Sequence, residues 1–426
     1  MPDKIRNEII IITVLAMLLL VTLFSNFKKP EKTVDYAVNQ VAAISNPLLQ
    51  RQMGVLLGPA ILPGNRITPL QNGDEIFPSM LNAIRSAKKT ITLETYIYWS
   101  GKIGTEFSQA LEERARAGVR VSVIIDWAGG NKMDDDLVDS MREAGIQLVI
   151  YHPLRWYRID RLNNRTHRKL MIIDGNIGFV GGVGIGDEWL GHAQDPDHWR
   201  DMHFKVEGPA VAEFQSAFMD NWLKTTGTLL HGEDYFPLLS PVGDKSAHLF
   251  VSSPTGGSGS MHLMYLLAIG GARHTIDIAA SYFVPDDLMR NALISARRRG
   301  VRIRVLLPDK HLDSATVRIA SKREWGALLA YGVEFYVYNP TMFHSKMIIL
   351  DGEMVSVGST NFDMRSFQLN DEASLNVYDK AFAAQMTGVY ENDLRSSTRF
   401  TRQMWNDRPW TQKFAEVVIR PLRSQL

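Results

Sequence analysis

Two stretches of the chain carry the same residue types at the same spacing. One is His167-Arg168-Lys169-Leu170-Met171-Ile172-Ile173-Asp174 and the other is His344-Ser345-Lys346-Met347-Ile348-Ile349-Leu350-Asp351, with Gly175 and Gly352 following. Each is apolar and β-branched enough for a strand, so an imidazole and an ammonium two residues apart should leave one face of it. Two such pairs brought together suit the handling of a phosphodiester. A neutral histidine can attack phosphorus, a protonated one can give its proton to the departing alkoxide, and the lysines can neutralise the non-bridging oxygens. A single copy is ordinary, because many half-buried strands with a polar edge match it. The second copy, in the same apolar setting, turns the pattern into a candidate site.

The paired H-x-K-x-x-x-x-D stretches resemble the signature of the phospholipase D superfamily, and Gly358-Ser359-Thr360-Asn361 is similar to that family's G-S-x-x-N extension. In the first copy, Gly181-Gly182-Val183-Gly184, Gly184 stands where related sequences usually carry asparagine. The resemblance implies an α/β fold: two duplicated phospholipase D-like lobes related by a pseudo-twofold, with one shared active site at their interface. It implies catalytic roles for His167, Lys169, Asp174, His344, Lys346 and Asp351, with Ser359 and Asn361 in support. Asp174 and Asp351 are equally natural as Asp-Gly turn residues. In the resembled family an acid beyond each motif hydrogen-bonds a catalytic histidine, fixing its tautomer and stabilising the imidazolium. Glu372, in Asn370-Asp371-Glu372-Ala373, is expected to serve the second histidine, His344, and Asp201 to serve the first, His167. The family pattern makes His167 the nucleophile and His344 the acid; the two motifs by themselves are interchangeable.

Within the superfamily, Thr92-Leu93-Glu94-Thr95-Tyr96-Ile97, Trp199-Arg200-Asp201-x-His203, Gly208-Pro209-Ala210-Val211 and Ser366-Phe367-x-Leu369-Asn370-x-Glu372 resemble the bacterial cardiolipin synthases. The resemblance runs from about Leu62 to Leu426. It implies phosphatidyl transfer through a phosphatidyl-histidine, with phosphatidylglycerol as donor and acceptor, in a bacterial inner membrane. A phospholipase D that hydrolyses phospholipid to phosphatidic acid would use the same residues. A membrane-anchored nuclease is disfavoured because a net charge of +1 offers no bulk attraction to nucleic acid. Two intact motifs count against a non-enzymatic scaffold. Arg155, Arg158, Arg161, Arg165 and Arg168 lead into the first motif, and Arg155, Arg158 and Arg165 are candidate contacts for anionic lipid headgroups. No cofactor is expected, and no metal. His192, Asp195, Asp197, His198, Asp201 and His203 fit no common ligand spacing, and the glycines from Gly182 to Gly186 fall too late in the lobe for a dinucleotide turn. With no cysteine, disulfides, thiolate zinc sites and cysteine nucleophiles are excluded.

The elements that must position these residues alternate regularly. In the first half, helices are expected at Asp74–Lys88 (with Pro78 in the first turn), Thr105–Ala117 and Asp136–Ala144, and strands at Thr90–Tyr98, Val119–Asp126 and Ile146–Tyr151. The second half repeats the order, with strands Ile276–Tyr282, Val301–Pro308 and Val333–Tyr338 around helices Asp287–Arg299 and Ala315–Tyr331. Gly118-Val119-Arg120 recurs as Gly300-Val301-Arg302, Gly145-Ile146 as Gly332-Val333, and Thr95-Tyr96 as Ser281-Tyr282. Their unequal offsets mean duplicated domains with different loops. The expected organisation is an anchor at 1–29, a juxtamembrane segment at 30–63, a first lobe at 64–238, a Ser/Gly/Pro-rich linker at 239–260 and a second lobe at 261–426. The anchor rests on the apolar run Ile9–Phe24. It is read as an uncleaved transmembrane helix because the run is long and Lys28-Lys29-Pro30, not a small-residue cleavage site, follows. Flanking lysines and arginines nearly balance and assign no orientation. The tail from Trp410 can lie on a membrane or pack on a lobe.

Overall fold

A computed structural model of the protein describes residues 3–25, 41–153, 164–253 and 259–419. The alternation resolves into two copies of one unit. In the first half the strands are β1 (Leu62–Gln71), β2 (Thr90–Thr95), β3 (Arg120–Asp126), β4 (Gln147–Tyr151), β5 (Arg165–Thr166), β6 (Leu170–Ile173), β7 (Ile177–Gly181) and β8 (Met202–Glu207). In the second they are β9 (Lys245–Ser252), β10 (Thr275–Ala279), β11 (Phe283–Val284), β12 (Arg302–Pro308), β13 (Glu334–Tyr338), β14 (Met347–Leu350), β15 (Met354–Gly358), β16 (Phe362–Asp363), β17 (Asn370–Tyr378) and β18 (Ser397–Phe400).

Each lobe joins a parallel run to an antiparallel one. β2, β3 and β4 are parallel, and β6, β7 and β8 continue from β2 antiparallel. In the second lobe β10, β12 and β13 are parallel, and β14, β15 and β17 continue antiparallel. The helices between parallel strands, such as Lys102–Arg116 and Asp287–Arg298, are the crossovers that parallel pairing requires.

The lobes are not tethered by a free linker. β9 lies inside the stretch read as a linker, yet it pairs along its length with β17 and also with β1, which pairs β8. The result is one 16-stranded sheet running through both lobes. Neither β1 nor β9 is predicted from the sequence. β1 contains Pro63, Gly64 and Pro69, which argue against a central strand, and β9 sits among turn-forming residues. On one face each lobe keeps its own core: Ile84, Phe107 and Phe179 in the first, Met264, Leu293 and Trp325 in the second. On the other face a single core spans both lobes under the helices Val211–Thr226 and Lys380–Arg395, from Phe204, Phe214 and Phe218 to Leu249, Leu375, Phe382 and Tyr390. Each such side chain contributes about 2 kcal/mol of burial, so the lobes are held as one body.

Two boundaries shift from expectation. The first lobe's opening helix is Asn72–Ser86, starting earlier than expected, so Pro78 lies inside it rather than in its first turn. Burial of Ile76, Phe77, Met80, Leu81 and Ile84 offsets the backbone bond lost at the proline. At the amino terminus Asp3–Ser25 is a single helix, and the described side chains from Arg6 to Leu18 are all exposed. Among the described residues no helix is long and apolar enough to cross a membrane. Near the carboxyl end, Trp410–Ile419 is a helix that leaves Trp410, Phe414, Val417 and Val418 exposed.

Candidate active site

The motif strands are shorter than the motifs. β6 and β14 hold only the apolar residues, and His167, Lys169, His344 and Lys346 lie in the extended segments leading into them. The histidine and lysine of each motif, expected on the strand itself, thus precede it. At the far end of each strand Asp174 (φ 50°) and Gly175 (φ 65°), and likewise Asp351 (φ 54°) and Gly352 (φ 65°), make a two-residue turn with both φ positive. Asp174 accepts the backbone N–H groups of Lys88, Lys89 and Thr90 at 2.9, 2.7 and 2.9 Å. Asp351 does the same for Arg273, His274 and Thr275 at 2.7, 2.7 and 2.9 Å. The expectation that the motif aspartates are catalytic is therefore corrected. A full strand separates them from the histidines, and their oxygens are committed to clamping the start of β2 and of β10.

Each lead-in segment crosses into the other lobe. β5 pairs in parallel with the start of β17, and the His167 N–H donates to the Asp371 carbonyl at 2.9 Å. Symmetrically, Phe343 bridges Arg200 and the His344 N–H donates to the Arg200 carbonyl at 2.7 Å. The acids are thereby exchanged. Glu372 lies against His167, with Nδ1 3.0 Å from both carboxylate oxygens, and Asp201 lies 2.7 Å from His344 Nδ1. The expected assignment, Glu372 to His344 and Asp201 to His167, is the reverse of this. Chain proximity suggested pairing within a lobe, whereas the crossing backbone places each histidine beside the acid of the opposite lobe. Neither lobe holds a complete histidine–carboxylate pair.

The two acids are held differently. Glu372 also accepts from Ser359 Oγ (2.5 Å), Ser366 Oγ (2.7 Å) and Asn370 Nδ2 (3.2 Å). Asp201 accepts from Trp189 Nε1 (3.0 Å) and the Met202 N–H (2.7 Å). Gly182 occupies the position of Ser359, and a Cβ there would come 2.2 Å from Asp201 Oδ1. A Cβ on Gly184 would come 2.8 Å from Ile97 Cβ, so the asparagine of the second half, Asn361, has no room in the first. The departure in the first motif is a packing consequence: Trp189 fills the donor role instead. Burial raises both carboxyls, but the imidazoles and nearby lysines outweigh it and hold each below the usual range.

The imidazoles and ammonium groups are almost fully buried. Lys169 Nζ donates to the His167 carbonyl at 2.9 Å, and Lys346 Nζ to the His344 carbonyl and Ser281 Oγ at 2.6 Å each. Tyr96 packs edge-on against His167 at 5.3 Å, and Trp189 and Trp199 flank His344 at 5.4 and 5.3 Å. Burial, with the lysine charges, lowers His167 to about 4 and His344 to about 3 against the pull of their acids, so both imidazoles rest neutral. Burial also lowers Lys169 to about 7, with help from Lys346, and Lys346 to about 8.

His167, Lys169 and His344 open on a cavity of about 310 Å³ that is also lined by Asn361, Tyr96, Tyr282 and two arginines, Arg165 and Arg365, with Lys346 behind His344. Of the expected headgroup contacts, Arg165 lines it, while Arg155 and Arg158 lie outside the described residues. Arg168 is not part of a rim. It is fully buried and donates to the carbonyls of Ala217 (2.7 Å) and Ser252 (3.2 Å) and to Asp220 (3.2 Å), fixing the motif backbone to a helix and to β9. The acidic and histidine stretch before β8 does not converge. His192 pairs with Asp74, His198 with Asp195 and Asp201 with His344, and His203 is buried against Gly181 with its imidazole lowered to about 3 by burial. Among the described residues no cluster of three or more such side chains could hold a metal. Sequence reasoning missed Trp189, Ser281, Ser366, Tyr96 and Arg365. The signal for two of them was present, because Thr95-Tyr96 and Ser281-Tyr282 are the repeated landmarks of the two lobes.

Comparison with known proteins agrees with this geometry. The family model described as "Cardiolipin synthase, PLD-like domain" matches residues 80–222 and 265–394, one segment in each lobe. Cardiolipin synthase 2 of Bacillus cereus is 35% identical over 360 residues, covering 84% of this chain and 70% of its own. The cardiolipin synthase of Geobacillus kaustophilus is 34% identical over 91% of this chain and 77% of its own. Among solved structures, phosphatidylserine synthase of Haemophilus influenzae is similar in fold, with a TM-score of 0.65 at 13% identity, over 89% of this chain and all of that one. The duplicated lobes, the shared cavity and these matches establish that the chain belongs to the cardiolipin synthase family of phospholipase D-like proteins.

Proposed function

We propose that the protein makes cardiolipin from two molecules of phosphatidylglycerol, by way of a phosphatidyl group carried on His167. The observation that carries this reading is one cavity lined by two buried imidazoles, each backed by a carboxylate from the opposite lobe, and by Lys169, with Lys346 directly behind His344. The donation of Nδ1–H to Glu372 leaves the lone pair of His167 on Nε2, toward the cavity, where it attacks phosphorus. The lysines stabilise charge on the non-bridging oxygens as it builds. The leaving glycerol oxygen takes a proton from the His344–Lys346 unit, in which Nζ lies 3.1 Å from Nε2. A bound phosphodiester supplies the negative charge that lets this unit hold the proton beside Lys169. In the second half His344, now neutral, takes the proton of the acceptor hydroxyl, and that oxygen displaces His167 from phosphorus. The family resemblance gives His167 the nucleophilic role, since both imidazoles rest neutral and each is backed by a carboxylate. The net charge of +1 supports a lipid rather than a nucleic-acid substrate, and the exposed apolar stretch from Ile9 to Leu18, within the helix Asp3–Ser25, supports attachment to a membrane.

The test is isotope-labelled phosphatidylglycerol in vesicles, with products read by mass spectrometry. Cardiolipin and free glycerol in equal amounts are expected, with phosphatidic acid minor. Phosphatidic acid as the main product at every lipid density would make the protein a phospholipase and overturn the acceptor part of the reading.

A further inference from the structure

We infer that the helix Trp410–Ile419 docks on an anionic lipid bilayer through Trp410, Phe414, Val417 and Val418, and so holds the wall of the catalytic cavity beside the membrane surface. The inference rests on the phospholipid substrate of the proposed function. On a water-facing helix the apolar stripe turns inward and the polar residues turn out. Here the order is inverted. Trp410, Phe414, Val417 and Val418 fall on one stripe about 100° wide, and they are 76%, 63%, 67% and 59% exposed. The inward face carries Gln412, Ala415, Glu416 and Ile419. Glu416 is buried there, and Arg408 closes on it with two hydrogen bonds, from Nε at 2.9 Å and from Nη2 at 3.0 Å. The fold thus desolvates an ion pair while leaving two aromatic rings in solvent. Both faces cost free energy in water. The same arrangement suits a helix lying in an interface, with its apolar side in the acyl boundary.

Position, charge and size name the occupant. The inward face packs on the helix Ala315–Ala330, and Ile419 rests against Val284, Val317 and Ala320. Val317 also lines the cavity that holds His167 and His344. At that end of the helix the outward stripe lies one helix diameter, about 10 Å, from the cavity wall. A phospholipid keeps its acyl chains in the bilayer while its phosphate reaches the histidines, so a membrane contact beside this wall shortens that path. The charge agrees. From Arg399 to Leu426 the sequence holds six basic residues and two acidic ones, a formal +4, whereas the whole chain carries +1. Such an excess is attracted to an anionic leaflet. A second copy of the chain is a poor occupant, because a stable protein interface engages about 20–30 residues a side and the stripe offers four.

The chain has no cysteine, so a single introduced one can be labelled alone. Phe414→Cys, carrying an environment-sensitive nitrobenzoxadiazole probe, is compared with Asp139→Cys on the helix Asp135–Glu143, whose acidic residues an anionic surface repels. Each full-length protein is mixed with an excess of phosphatidylglycerol vesicles and its emission is read. The probe at 414 should shift to the blue and brighten severalfold, and the probe at 139 should not change. An unshifted probe at 414, or equal shifts at both positions, overturns the docking. A blue shift that needs no vesicles and grows with protein concentration also overturns it, in favour of a second copy. Val417→Cys, on the same stripe, carries the test if Phe414→Cys does not fold. The probe reports position and not product. A protein that released phosphatidic acid in place of cardiolipin would defeat the proposed function and leave this result untouched.

Discussion

At the scale of residues, the proposed chemistry depends on histidine–carboxylate pairs whose two members come from different lobes. Glu372 meets His167 and Asp201 meets His344. Glu372→Gln should therefore move the Nδ1–H proton resonance of His167 and leave that of His344 in place, with Asp201→Asn doing the opposite. Proton NMR of the two variants checks this, and either should lower kcat by about 10²-fold. The pH dependence follows from the same burial. His167 is lowered, to about 4, so it stays neutral and nucleophilic until pH falls that far. Lys169 and Lys346 are lowered to about 7 and 8, so their charge is present below those values and lost as pH rises through them. A profile of kcat/KM should be a broad bell, falling on the alkaline side near neutrality and on the acid side only near pH 4. Because the groups interact, the two limbs belong to the cluster. Lys169→Arg, if active, should shift the alkaline limb upward, since a guanidinium does not lose its proton in this range.

At the scale of elements, each motif strand is a short apolar hairpin arm with chemistry at one end and a clamp at the other. Asp174→Asn and Asp351→Asn each remove charge from three backbone hydrogen bonds without approaching the cavity. Each should cost about 1–3 kcal/mol of stability by denaturant titration, with kcat of the folded fraction unchanged. A large fall in kcat at full stability would return the aspartates to the reaction. The elements were also where the sequence was most legible. The parallel strands and crossover helices fall within a few residues of where their apolar periodicity puts them, because those segments are buried in a regular way. β1 and β9 were hidden, since prolines, glycines and serines mask a strand that lies between two others and needs little propensity of its own. The exchange of acids was hidden for another reason. A motif names residue types, but the pairing of β5 with β17, and of Phe343 with Arg200, is set by two lobes packing together. Nothing in the local sequence around Glu372 records that contact. The buried role of Arg168 was equally silent, because an arginine-rich approach to a site reads as a charged surface until Glu94, Asp220 and Ser252 are seen around it.

At the scale of the molecule, the continuous sheet and the core shared under Val211–Thr226 and Lys380–Arg395 fix the two half-sites against each other. On the proposed reading the amino-terminal helix serves attachment and not the fold. Val41 accepts a hydrogen bond from Arg273 and the helix Pro47–Leu57 packs Leu49 and Met53 into the second lobe's core, so a truncation that spares the fold must end before residue 41. Removing residues 1–40 should leave turnover of dispersed short-chain phosphatidylglycerol intact. On sparse vesicles it should lower turnover by an order of tenfold or more, the effect of losing a local lipid concentration. Equal activity of both forms on vesicles would show that attachment lies elsewhere, with the exposed face of Trp410–Ile419 as the next place to look.

The central claim is that two lobes make one catalytic unit with distinct roles for its histidines. The most direct measurement uses a phosphatidyl donor with a p-nitrophenol leaving group, which departs without help from an acid. Given to His344→Ala, it should release one equivalent of p-nitrophenolate in a burst and leave a phosphatidyl group on His167, stable under alkaline quench and located by peptide mass spectrometry. His167→Ala should give neither burst nor adduct. An adduct on His344 in His167→Ala would reverse the roles, and the absence of any adduct in either variant would contradict the covalent account altogether.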